Sequence, residues 1–284
     1  MPGGPLPRAA AGPRLVSVLL AVPVLLAVPI LLAGCTADPL PPDPAPGGST
    51  PPDVAADARA QLAGLAAAAE DRHLVASYTL TAAGRPDRTV TVTDAADGTW
   101  RVDIPGGALG GTADVSVAQT KDGIFQCALP SAHRPDPPTC VRVAAPDGRL
   151  ASAIDPKVQH PFTDWREVLT DREAPLAVST SRLLPGARGA CFSVESTSAS
   201  LSAPLDVGIY CYDPDGTLTA ARLAFGTLVL AGVPAAPPST VALPGPVVAG
   251  EPLRMAAPPT PTSTPSGQDS TPSGQETPSP GTIR

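Results

Sequence analysis

From Tyr78 onward the chain alternates apolar and polar residues with a period of two, and no other feature constrains its fold as strongly. Tyr78-Thr79-Leu80-Thr81 is followed by the turn residues Gly84-Arg85-Pro86-Asp87. Val90-Thr91-Val92-Thr93 runs to Asp97-Gly98, after which Trp100, Val102 and Ile104 alternate with Arg101 and Asp103. Val115 and Val117 lead into Lys121-Asp122-Gly123 and then Ile124 to Cys127. The pattern resumes at Leu176-Ala177-Val178, at Cys191 to Val194 and at Val207 to Tyr212; Asp213-Pro214-Asp215-Gly216 then turns the chain into Leu218 to Leu230. A period of two puts successive side chains on opposite faces of a strand. Such runs, separated by short Gly-containing turns, form antiparallel hairpins. About ten strands fit between residues 74 and 230.

Two stretches have a helical period instead. In Thr50-Pro51-Pro52-Asp53, Thr50 can cap a helix, Pro51 suits its first position and Asp53 its first turn. Val54, Ala58, Leu62, Leu65 and Ala69 follow on one face, and the helix is expected to end near Asp71. A second, short helix is predicted from Asp164, with Glu167 in the capping-box position and Trp165, Val168 and Leu169 on its apolar face. The fold class is therefore α+β.

The N-terminal region reads as an export signal. Met1–Arg14 has two arginines and no acid, Leu15 to Ile30 is apolar apart from Ser17, and Leu32-Ala33-Gly34-Cys35 matches the bacterial lipobox. The small residues leave the backbone beside Cys35 open to a peptidase, and its thiol is the nucleophile that takes a diacylglyceryl group. The alternative, a permanent transmembrane helix, has enough length but contains Pro23 and Pro29. The expected organisation is a signal peptide over 1–34, a Pro-rich tether over 35–53, a folded domain over 54–245 and a Pro/Ser/Thr tail over 257–284. Lipid on Cys35 then holds the domain on the extracytoplasmic face of the cell membrane, since two or more acyl chains anchor firmly. An extended tether lifts it by about 40 Å.

Five cysteines are present. With Cys35 lipidated, Cys127, Cys140, Cys191 and Cys211 remain, which in an exported domain implies two disulfides with three possible connectivities. Cys127–Cys140 and Cys191–Cys211 are the favoured pairs, because each flanks one loop between neighbouring strands. Zinc is disfavoured: there is no C-x-x-C and no histidine at ligand spacing.

The sequence has no Gly-x-Ser-x-Gly elbow, no His-Glu-x-x-His and no phosphate loop. Gly106 to Gly111 reads as a flexible connection, and Asp213-x-Asp215-Gly216 as a hairpin turn rather than a calcium loop. His73, His133 and His160 stand alone near turns and charges and read as solvated surface residues. No nucleophile has a base beside it, so neither an enzyme nor a cofactor is expected. Beyond residue 34 the chain has seventeen Lys and Arg against twenty-six Asp and Glu, a balance of −9 that argues against nucleic-acid binding.

The order of lipobox, tether, N-terminal helix, long meander, short helix and further strands resembles the LolA-like group of lipoproteins, including the mycobacterial lipid-carrier lipoproteins. The resemblance implies a strongly curved antiparallel sheet, a half-barrel, wrapped around the helices with acyl chains held between. It implies a carrier of a lipid or other apolar ligand. Val54, Leu62 and Leu65 of the first helix then line the cavity opposite Trp100, Val102 and Ile104. The alternative is a surface lipoprotein that binds an envelope protein and has no ligand cavity.

Overall fold

The structure is a computed structural model that describes residues 54–257, apart from 133 and 199–202, with the side chain of Val54 also outside the description. The leader, Cys35, the tether, the helix start at Thr50–Asp53 and the tail from 258 lie outside the described residues.

Helix α1 (Val54–Glu70) leads into six strands: β1 (Leu74–Thr81), β2 (Arg88–Asp94), β3 (Trp100–Ala108), β4 (Ala113–Thr120), β5 (Gly123–Ala128) and β6 (Thr139–Ala144). Helix α2 (Asp164–Thr170) precedes β7 (Leu176–Ser181), β8 (Ala190–Ser196), β9 (Gly208–Tyr212), β10 (Leu218–Leu223) and β11 (Gly226–Ala235). Among the described residues there are thus eleven strands, against about ten expected, all in one sheet ordered β6-β5-β4-β3-β2-β1-β11-β10-β9-β8-β7. The first six strands and the last five are each a meander of antiparallel neighbours, and the first and last strands pair to join them, Tyr78 opposite Leu230.

Alternation along the strands gives the sheet two faces. Val90, Val102, Ile104, Val117, Phe192 and Tyr210 share one core with Ala58, Leu62 and Ala66 of α1 and Leu169 of α2, so both helices lie on that face. The spacing of Ala58, Leu62, Ala66 and Ala69 makes one stripe, and all four are buried. Its alanines are small, which lets the helix backbone come close to its neighbours. The β9–β10 turn does so at Gly216, where φ is +84° and an added Cβ would meet Ala68 C at 2.4 Å. The opposite face carries two small clusters, one around Cys191–Cys211 and one around Cys127–Cys140.

The strong curvature implied by the LolA-like resemblance is not found: the sheet is neither closed nor strongly curled. Sheets bend at bulges and kinks. Six of the ten ladders here run without any register shift, and the edge strands β6 and β7 end the sheet on opposite sides.

After β11 the chain returns across the β1–β6 half. Leu243 packs on the Cys127–Cys140 cluster. Val247 bridges Cys140 in parallel, with Cys140 N–H donating to Pro246 O and Val248 N–H to Cys140 O. This strap covers part of the β6 edge. It also holds residues 109–110, since Leu109 and Gly110 N–H donate to Arg254 O and Met255 O at 2.8 Å. The glycine-rich stretch expected to be a flexible connection is therefore the end of β3 and a pinned turn.

Candidate functional site

Strands β6 and β7 are at opposite edges of the sheet, ten strand positions apart, so the connection between them must cross the molecule. It does so on the helix side, over residues 145–175, and it carries the short 3-10 turn His160–Phe162 and α2. Beside it lies a cleft of about 640 Å³, lined by Trp100, Asp155, Lys157, Gln159, Trp165 and Asp206 among others. Its volume suits a small ligand.

His160 organises one wall. Its Nε2 lies 2.9 Å from Asp155 Oδ2 and its Nδ1 lies 2.5 Å from Asp164 Oδ1. The ring stacks on Trp165, centroid to centroid 5.0 Å. Burial alone disfavours the imidazolium, but hydrogen bonds and attraction to the two carboxylates outweigh it and raise the pKa to about 9. Asp155 and Asp164 lie below the ordinary carboxylate range: burial opposes this, and their bonds to His160 prevail. The unit is thus an ion triad at neutral pH.

The expectation of a solvated surface histidine fails for His160, whose side chain is 17% exposed. The carboxylates that trap it stand five residues before and four after. That spacing is a signal only once the intervening turn is known. Asp164 was the expected helix cap; the cap position is instead Thr163, and the Asp164 carboxylate turns to His160. The nearby hydroxyl, Thr163 Oγ1, donates to Gln159 O and Asp164 Oδ1. With both His160 nitrogens on carboxylates, the ring has no hydroxyl to activate. His73 is also engaged, its Nδ1 3.2 Å from Asp94 Oδ1. His133 lies outside the described residues.

The side chains expected to line a lipid cavity are in a different situation. Leu62 and Val102 are 0% exposed and Ile104 is 1% exposed. A side chain facing a void wide enough for an acyl chain keeps accessible area on that side, and these keep almost none. Leu65 and Trp100 are partly buried at the rim of the same core. Trp100 reaches the polar cleft instead, where its Nε1 donates to Gln119 Oε1 at 2.8 Å. Against the far end of α1, beneath Tyr212 and Arg166, is a void of about 10 Å³, the room of one water.

The four remaining cysteines form Cys127–Cys140 and Cys191–Cys211, each between residues directly opposite in adjacent strands. Two such bonds indicate an extracytoplasmic protein. No helix among the described residues is long and apolar enough to cross a membrane. No family model, no curated protein and no solved structure matches this chain.

Proposed function

We propose that this chain is a lipid-anchored, extracytoplasmic binding domain that works through its surface cleft and has no enzymatic activity of its own. The observation that carries the reading is the filled layer between α1 and the sheet, where Leu62, Val102 and Ile104 have no space to offer an acyl chain. The cleft beside α2 sets charged side chains among aromatic ones such as Trp100 and Trp165, a mixture that suits a polar or charged partner. Of the two roles the sequence suggests, this supports the interaction module over the LolA-like carrier. The lipobox at Leu32–Cys35 supports the anchor, and the disulfides support export. The His160 triad supports a binding wall: a histidine that holds its proton to about pH 9 is a poor base at neutral pH.

Native mass spectrometry of the full-length protein tests this. After detergent exchange the expected mass is that of the polypeptide from Cys35 plus its covalent acyl groups. A noncovalent lipid adduct that survives exchange would restore the carrier, and absence of covalent lipid would remove the anchor.

A further inference from the structure

We infer that the cleft is a site for an organic cation, an ammonium or guanidinium group, which takes the place of Lys157 on Asp206. The inference rests on the reading of the cleft as the working surface. Two observations carry it.

The first is a pair of unused acceptors. Gln159 is 1% exposed and its Oε1 has no hydrogen-bond partner, and Asp206 Oδ2 is likewise enclosed and unpartnered. The orientation of the Gln159 amide follows from its surroundings, because its Nε2 faces Asp155 Oδ1 at 2.7 Å and an oxygen there would oppose a carboxylate. Native interiors rarely leave such atoms unpaired. Both atoms need donors, and both belong to side chains that line the cleft.

The second is a cation already in place on a short leash. Lys157 Nζ sits 3.1 Å from Asp206 Oδ1, although its own side chain is 52% exposed. Its backbone is held at φ +63°, and its N–H donates to Asp155 Oδ1 at 2.9 Å. The loop that presents Gln159 therefore also lays an exposed ammonium over Asp206. An exposed lysine is easily displaced, because its bond to a carboxylate is screened and costs side-chain freedom. A ligand cation that displaces it gains Asp206, whose Oδ2 is the acceptor left without a partner beside Lys157.

Charge agrees with this. Seven carboxylates line the cleft against Arg149, Lys157, Arg166 and a protonated His160. Once Lys157 swings into water the excess of negative charge grows, and a cation replaces what was lost. A neutral polyol would leave that excess uncompensated. A metal ion is disfavoured, since no group of three or more His, Cys, Asp or Glu among the described residues is placed to hold one.

Titration calorimetry at pH 7 on the full-length protein tests the inference with N-methylguanidinium and its neutral isostere N-methylurea. The expected result is binding of the first and none of the second. Lys157→Gln should tighten N-methylguanidinium by about threefold, because the internal competitor is gone, and Asp206→Asn should weaken it by about tenfold. A purely structural Lys157–Asp206 pair would show no gain in the lysine variant. Spermidine and a capped Gly-Arg-Gly peptide separate a free amine from a side chain on a protein partner, and tighter binding of either supports the site. Equal binding of the urea, no heat with N-methylguanidinium up to about 10 mM, or an unchanged affinity in Lys157→Gln overturns it. The lipid measurement above is independent: loss of the cation site leaves the surface-binding reading standing, and a retained lipid removes that reading.

Discussion

Arg166 of α2 donates to Asp94 Oδ2 of β2 at 2.8 Å, with the two side chains only 12% and 11% exposed. The same Nη1 donates to Ala69 O at 3.0 Å and so satisfies a carbonyl at the end of α1. One guanidinium therefore fastens both helices to the sheet, next to the cleft. Removing one partner of such a pair strands the other charge. Arg166→Met and Asp94→Ala should each cost about 3 kcal/mol, and the double variant should cost clearly less than their sum. Urea unfolding of the three variants measures this; additive costs would mean the pair is not coupled.

The His160 triad makes stability depend on pH. Its folded pKa, about 9, is above the unfolded value near 6.5. Its contribution is therefore complete below about pH 6.5 and is lost as pH rises through about 9. Asp155 and Asp164 work in the opposite direction, their contribution being lost as pH falls through their lowered values. The stability difference between the wild type and His160→Gln should shrink by on the order of 3 kcal/mol from pH 6 to pH 10. Denaturant melts across that range check it, and a constant difference would show that the imidazole is neutral at pH 7.

Gly216→Ala should destabilise by about 2 kcal/mol or more, because a positive φ and a close approach coincide there. The added methyl would meet the backbone of Ala68 and Ala69 at 2.4 Å. Gly98→Ala serves as the control: it also has a positive φ, +79°, but its Cβ meets nothing within 4 Å. Thermal melts should rank Gly216→Ala as the more damaging.

Leu62→Trp distinguishes a filled layer from a cavity. Overpacking a dense core costs about 1–3 kcal/mol or more, whereas an open pocket accepts the ring. A clear drop in melting temperature is expected, and an unchanged melt would reveal space beside Leu62.

The residues alone pointed to most of the alternating strands, to both helices and to the favoured disulfide pairs, but not to β6, nor to the break between β10 and β11. These follow from local rules: a period of two or of 3.6, a turn residue at each end, and cysteines on strands that a single loop makes neighbours. The helix face was legible as Val54, Ala58, Leu62, Leu65 and Ala69, although Ala66 and not Leu65 completes the buried stripe, but what it faced was not legible. Whether small residues leave room for a ligand or bring backbones together depends on what packs on them, and here they are buried in the shared core with the β9–β10 turn close at Gly216. The cleft was illegible for a similar reason. Asp206 meets Lys157, and Asp94 meets Arg166, across 49 and 72 residues of chain. No period or spacing encodes those meetings. They exist because β1 pairs with β11, which sends β6 and β7 to opposite edges and forces the chain between them across the face where the helices lie.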